Sequence, residues 1–534
     1  MARPDWPEWD AADKREEASM MDLKVAEAVE LKDIPKGETI YYIMPVYTQK
    51  FGAKGELLKY KSRWVVDGSR QGLTANDTFS PAVRWASLRT MVALCAAKGE
   101  YMEQMDVDTA FLNAPLKDVR YARAPNGKYW RVKKAIYGFQ DSPQLWSNMS
   151  DEQLVAMGYN TTSADPCIFV KHQAIDGREH FLMVSRWVDD YHYFATHKSM
   201  RDQFKEGMKT KFSVKDLGVL EYGLGVHFSY LDKNGNAIVS NLIKSIPIHG
   251  IKMDQHLYIS TMIKEFDLAN THSAPTPMEV TASLTAGGAV DAAGGNRVFP
   301  KYRPLVGSLN YAAVVSRPDI ADAVGQVARF LAAPTQAHWT AAQRILRYLK
   351  GTLDMGVVYH RDKPTNPEAW SDASFQRCVD TRRSTTGLVI MMAGGPVSWR
   401  SHRQKTVAQS SCESEYMALT ETGKELVWLR GLLEELGVSE WVKASTVTVG
   451  QKEPGKDWLS IQGDNQGSIA LANRPLINGN SKHIHPSWHW IREKALAKEL
   501  DLIYCPTQNM VADFFTKPLP TPRFRELRLK LGIM

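Results

Sequence analysis

The sequence predicts a multidomain chain of mixed α and β structure that closes with an α/β unit. Three observations carry this reading. The 534 residues amount to about three to four domains at roughly 150 residues each. A hydrophobic content of 44%, with 10% aromatics, can fill several cores and excludes wholesale disorder. From residue 368 onward the pattern runs strand, strand, strand, helix, strand, helix, strand, helix, which describes a mixed sheet with helical crossovers.

The elements follow in order. Residues 1–36 are polar and acidic, and Met21, Leu23, Val25, Ala28, Val29 and Leu31 predict a weak amphipathic helix before Pro35. Alternation from Ile40 to Val66 predicts strands broken at 52–55. A helix is predicted from about Arg84 to Ala97, followed by strand-like segments and the apolar stretch Phe181–Phe194. Residues 224–241 read as a hairpin turning at Lys233-Asn234-Gly235, and Tyr258–Phe266 has helical spacing. The small-residue run from Ala286 to Gly295 reads as a loop or linker, and helices are expected at 302–315, 318–332 and 336–350.

The formal charge of +7 is uneven. Residues 1–33 hold ten acidic and five basic side chains, a net of −5, so the remainder carries 7 + 5 = +12. A basic body tolerates a polyanionic partner. Five scattered cysteines with no C-x-x-C pair point to a reduced, intracellular protein without a structural zinc motif. The acidic N-terminus lacks the apolar core of a secretory signal, and no uncharged apolar run approaches the ~18 residues of a membrane span.

Two acid groups stand out. Asp189-Asp190 interrupts the apolar stretch 181–194 where a hairpin tip would project charge from a sheet, and Asp106 and Asp108 lie at strand-like spacing among apolar neighbours. An isolated Asp-Asp is more often a solvated turn. Brought together, the two groups would suit a pair of Mg²⁺ ions about 3.5–4 Å apart serving in-line attack on phosphorus.

These segments resemble the reverse transcriptase of copia-type LTR retrotransposons. Trp187-Val188-Asp189-Asp190 is similar to that family's Tyr-Val-Asp-Asp box. Asp106 to Asn113, Ala135 to Pro143, Lys59 to Arg63, Ala164 to Cys167 and Lys215 to Gly218 resemble further family motifs in the same order. The collinear match extends from about Ile34 to the C-terminus. It implies an α+β right-hand polymerase with fingers, palm and thumb, followed by an α/β RNase H-like domain on a mixed five-stranded sheet.

Carried over residue by residue, the resemblance makes Asp106, Asp189 and Asp190 a metal-binding triad. Phe111 would be a steric gate against a 2′-hydroxyl, and Arg63 a clamp on triphosphate oxygens. Read without the family, Phe111 could equally be core and Arg63 a surface strand residue. Trp187 replaces the family's tyrosine and keeps an aromatic surface for the primer, while Asp108 replaces a commonly basic residue. Leu224 to His227 resembles the primer grip, and Tyr258–Phe266 then reads as a thumb helix. The expected organisation is an acidic segment over 1–36, fingers and palm over 37–223, and primer grip and thumb over 224–283. A linker over 284–300, a helical connection over 301–366 and the RNase H-like domain over 367–534 complete it. In the helix Thr340–Lys350, Arg344, Arg347 and Lys350 recur every three residues and form either a phosphate-tracking ladder or a solvated basic face.

The C-terminal unit holds a second acid set. Asp372 in a first strand, Glu415 in a long helix, Asp464 after the strand Leu459–Gly463 and Asp513 opening the last helix follow the RNase H order. Such a set would hold two Mg²⁺ and cut the RNA strand of a hybrid. Ser410-x-x-Glu413 reads as a capping box, leaving Glu415, in line with Leu419 and Leu426, as the ligand. His483, His485 and His489 read as surface or substrate-loop residues rather than zinc ligands, and His485 departs from the family's aspartate.

The expectation is an RNA-directed DNA polymerase fused to a ribonuclease H. It would use Mg²⁺, with Mn²⁺ as a substitute, and act on RNA template, DNA primer, RNA–DNA hybrid and dNTPs. The expected location is cytoplasmic, in a virus-like particle, with passage into the nucleus left open. The rivals are a silent nucleic-acid-binding relic and a nuclease-only protein. With no zinc knuckle, aspartic protease motif or integrase acids, the chain reads as the polymerase and nuclease end of a polyprotein.

Overall fold

In the computed structural model, which describes residues 5–51, 57–74, 78–286, 299–438, 459–475 and 482–534, the first helix lies earlier than predicted, over Trp6–Asp22. Pro7 near its start supplies a preset φ, and Trp9, Ala12 and Met20 bury one face of it. The predicted stretch 21–31 instead yields the short strand Ala26–Val29, paired antiparallel with Tyr129–Lys134. Asp13 fixes the helix by accepting hydrogen bonds from the Tyr47 hydroxyl at 2.6 Å, the Ser62 hydroxyl at 2.5 Å and the Trp64 indole at 3.2 Å.

Contacts group the chain into two compact units. The first comprises residues 1–83, 103–161 and 166–218, and the second 84–102, 162–165 and 219–534. The first unit holds two sheets. In one, Leu57–Val66 pairs with Ile40–Phe51, whose start runs parallel to Pro115–Arg123, and then come Tyr129–Lys134 and Ala26–Val29. The other is six-stranded, in the order Val214–Val219, Glu103–Val107, Asp190–Ala195, Arg178–Trp187, Ile168–Ile175, Asn160–Thr161. Met105, Val107, Trp146, Val184, Tyr191 and Phe204 bury one side of this sheet beneath the helices Ser142–Ala156 and Lys198–Lys209.

In the second unit the helix Trp85–Lys98 matches its prediction within a residue, as do Tyr302–Val315 and Gln336–Lys350. The stretch expected as one helix at 318–332 breaks into Pro318–Ile320, Ala321–Val327 and Ala328–Phe330. Val226–Leu231 reaches its turn as predicted, but its main antiparallel partner is Gly250–Asp254, which in turn pairs with Gly356–His360. That last strand was not predicted. The linker run lies mostly outside the described residues.

The C-terminal sheet is mixed and five-stranded, in the order Gly395–Arg403, Thr385–Met392, Glu368–Ser374, Leu459–Gly463, Leu500–Tyr504. Its first three strands are antiparallel and its last two add in parallel. The helix Ser411–Glu435 packs on it, and the turn Val511–Phe515 packs against Thr385–Met392. Gly387 permits that approach, since a Cβ there would stand 2.6 Å from the Thr516 Cγ2 and 2.9 Å from the Ala512 carbonyl.

Candidate active sites

The first site is built by a hairpin and its neighbouring strand. Arg178–Trp187 and Asp190–Ala195 pair antiparallel with Trp187 opposite Asp190, so Val188 and Asp189 form a two-residue turn. Such turns require left-handed backbone, and Val188 adopts φ +58° despite its branched side chain. Its carbonyl accepts a 2.7 Å hydrogen bond from the Trp146 indole. The next strand places Asp106 directly opposite Asp190, and the Val107 amide donates to the Asp189 carbonyl at 3.0 Å. Like charges facing each other across a ladder repel, so this register fits a cation-binding role.

These acids line a cavity of about 510 Å³ with Lys61, Arg63, Tyr137 and Lys215, closed on one side by Ala12, Arg15 and Glu16 of the first helix. Burial raises the Glu16 carboxyl, against the pull of Lys61 and Arg63. Arg63 lies over the Tyr137 ring at 5.3 Å, and Phe111 packs on that same ring at 5.0 Å between centroids. Burial pushes the Tyr137 hydroxyl up to about 12. Tyr137 rather than Phe111 faces the cavity, and sequence reasoning missed it. It also missed Lys215, which pairs with Asp108 and stands 4.0 Å from Asp106. Asp108 further accepts from the Ser213 hydroxyl at 3.1 Å, so the added acid carries its own counter-charge. Trp187 is half-buried at the tip of the hairpin, next to the turn.

The second site forms on the mixed sheet. The parallel pairing of Ser371 with Gly463 brings the next residues, Asp372 and Asp464, alongside each other, and Glu415 descends from the long helix. One oxygen from each of the three lies within 4.8 Å of the others. Burial, opposed by Lys517 and reinforced by Asp513, raises Asp372 to about 6. Burial, then Asp372 and Asp464, raises Glu415 to about 10. Asp464 accepts from the Thr507 hydroxyl at 2.8 Å, and Thr516 donates to Asp372.

Asp513 corrects the prediction that it opens the last helix. It lies in the turn Val511–Phe515, buried and paired with Lys517 at 2.5 Å, while the helix begins at Thr521. Glu413 is also buried, yet its carboxylate accepts from the Gln409 amide at 2.7 Å while its own amide donates to Ser410, as an N-terminal cap should. His483 faces Glu413 at 3.5 Å, His485 accepts from the Ser487 amide, and His489 contacts the Tyr416 hydroxyl at 3.1 Å.

Arg344, Arg347 and Lys350 hydrogen-bond within the chain. Arg344 bonds to Glu279 at 2.7 Å, Arg347 to the His272 carbonyl at 2.6 Å, and Lys350 to the carbonyls of Ala269 and Thr271. The ladder ties down residues 269–279 because those carbonyls run alongside the helix face that the cations occupy.

Comparison with known proteins decides the family. Residues 26–280 match the family described as "Reverse transcriptase (RNA-dependent DNA polymerase)". The chain is 30% identical over 540 residues to the "Retrovirus-related Pol polyprotein from transposon TNT 1-94" of Nicotiana tabacum, covering 99% of this chain. The chain belongs to the copia-type Pol family. A second Pol relative, from transposon RE2 of Arabidopsis thaliana, is 30% identical over 94% of this chain. The chain spans 38% of the tobacco Pol polyprotein and 32% of the Arabidopsis one. Among solved structures, a foamy viral protease-reverse transcriptase in complex with double-stranded DNA aligns over 94% of this chain and 70% of that one, at TM-score 0.47 and 12% identity.

Proposed function

We propose that this Pol chain is an RNA-directed DNA polymerase whose C-terminal unit is a ribonuclease acting on RNA–DNA hybrids. The observation that carries the polymerase reading is the juxtaposition of Asp106, Asp189 and Asp190 with the cations Lys61 and Arg63 in one cavity. The carboxylates suit hard divalent ions, and the cations suit triphosphate oxygens. The nuclease reading rests on the Asp372, Glu415 and Asp464 carboxylates, which converge from two strands and a helix.

The donor sets fit Mg²⁺, which would supply charge neutralisation and an activated oxygen nucleophile at each site. The protein's own groups do the remaining work. Arg63 would hold the triphosphate, oriented by its stacking on Tyr137. Tyr137, with Phe111 behind it, would set the shape of the sugar pocket. Lys215 pairs with Asp108 and stands 4.0 Å from Asp106, so it offsets the charge of both acids. In the second site Lys517 offsets the charge of Asp513 and Asp372 until metal binds.

The test uses a labelled RNA template annealed to a DNA primer, with Mg²⁺ and dNTPs. Primer extension and RNA cleavage are followed together for wild type, Asp189→Asn and Asp464→Asn. Loss of extension alone in the first variant and of cleavage alone in the second is the expected result. Hybrid binding by wild type with neither reaction, in Mg²⁺ or Mn²⁺, would mean a catalytically silent relic.

A further inference from the structure

A third cluster lies apart from both acid sets. His227 on the strand Val226–Leu231 faces Asp254 on Gly250–Asp254 as its cross-strand partner. His256 opens the helix His256–Glu265 two residues further on. The His227 Nδ1 lies 3.1 Å from one oxygen of Asp254, and the His256 Nδ1 lies 2.5 Å from the other. One ligand atom from each of the three residues lies within 4.8 Å of the others.

Three features separate this arrangement from an ordinary buried hydrogen bond. The Asp254 side chain is only 5% exposed, and each of its two oxygens meets an imidazole nitrogen. The imidazole planes stand at 88° with centroids 4.9 Å apart, so two ring nitrogens point from different directions at one carboxylate. The two histidine side chains are 35% and 33% exposed, which leaves a solvent-side position for a further ligand.

We propose that His227, Asp254 and His256 bind a single divalent transition-metal ion of the Zn²⁺ class. Two imidazole nitrogens and one carboxylate oxygen suit such an ion, and a water would complete four-coordination. On binding, the ion takes the place of the protons shared between the rings and the carboxylate; each ring keeps one proton, on Nε2, and any beyond that leave to solvent. The cross-strand register fixes two of the ligands in advance. The ion would staple two strands of the four-stranded sheet to the helix that follows them. Neither acid cluster could substitute, because their all-oxygen donors select harder ions.

The experiment uses the untagged full-length protein in excess Mg²⁺, titrated with Co²⁺ as a spectroscopic probe and then with Zn²⁺ as competitor. One equivalent of Co²⁺ with the intense visible absorption of a four-coordinate nitrogen-ligated ion, displaced by Zn²⁺, is the expected result. His227→Ala and His256→Ala should each weaken binding by more than the roughly 100-fold that outer-sphere changes cost. Asp189→Asn and Glu415→Gln should leave the spectrum in place. Both histidines are partly exposed, and melting in a chelator reports whether each variant is folded. Absence of a stoichiometric spectrum in wild type, or its persistence in both histidine variants, would overturn the proposal.

Discussion

Trp146 holds the carbonyl of Val188 through its indole N–H at 2.7 Å, on a residue whose backbone sits at φ +58°. A buried helix side chain thereby pins the tip that carries Asp189. Trp146→Phe removes this bond from a fully buried position. It should lower stability by about 1–2 kcal/mol, combining the lost hydrogen bond with a small gap, and slow primer extension more than hybrid cleavage. Urea unfolding and a two-reaction assay would measure both.

Val188 itself is the strained member of that turn. Val188→Asn places there a residue that accepts left-handed backbone more readily, and the site is partly exposed, so little packing is lost. The variant should be more stable by about 1 kcal/mol, read from the shift of its denaturation midpoint. An unchanged or lower midpoint would mean that the valine side chain contributes more than its backbone costs.

Lys215 pairs with Asp108 beside Asp106. Lys215→Gln should concentrate negative charge at Asp106 and lower the Mg²⁺ concentration that gives half-maximal extension. Adding Asp108→Asn should restore the original requirement. A Mg²⁺ titration of the single and double variants checks this, and equal curves for all three would exclude the coupling.

The second site predicts a pH dependence. Asp372 and Glu415 are raised, to about 6 and about 10, so the metal-free fold holds their protons more tightly than the unfolded chain does. Their contribution is full below the ordinary carboxylate range and is lost as pH rises through those values. Melting in a chelator should therefore fall between about pH 5 and 9, and Mg²⁺ should flatten that decline. Glu415→Gln should remove part of the slope while abolishing RNA cleavage.

Tyr137 links Arg63 in the first cavity to Phe111. Tyr137→Phe keeps both ring contacts and should leave extension within about twofold, since the ring and not the hydroxyl meets Arg63 and Phe111. Tyr137→Ala removes the platform and should raise the KM for dNTPs and admit rNTPs more readily. Steady-state kinetics with matched nucleotide pairs would decide it.

The acids stood out in the sequence through their order along the chain and the surrounding motifs, which resemble those of copia-type reverse transcriptases. Glu415 could be separated from Glu413 by helix geometry alone. The partners of these acids were not legible. Lys215 reaches Asp108 across 107 positions, and Thr516 reaches Asp372 across 144. No local pattern encodes such meetings. The period of the arginine ladder was visible, but the carbonyls of Ala269, Thr271 and His272 that accept from it carry no sequence signal. The strand Gly356–His360 was hidden because it is an added edge, fixed by its partner Gly250–Asp254 more than by its own alternation.

The pairing of Asp106 with Asp190 also constrains how the gene can change. Strand side chains alternate with a period of two, so inserting or deleting one residue between Glu103 and Val107, or between Asp190 and Ala195, would turn an acid from the cavity into the apolar core. Substitutions along these strands degrade the site by degrees, whereas a single-codon length change ends it at once. Relatives that keep this acid pairing should therefore vary in spelling across these two strands while keeping their length.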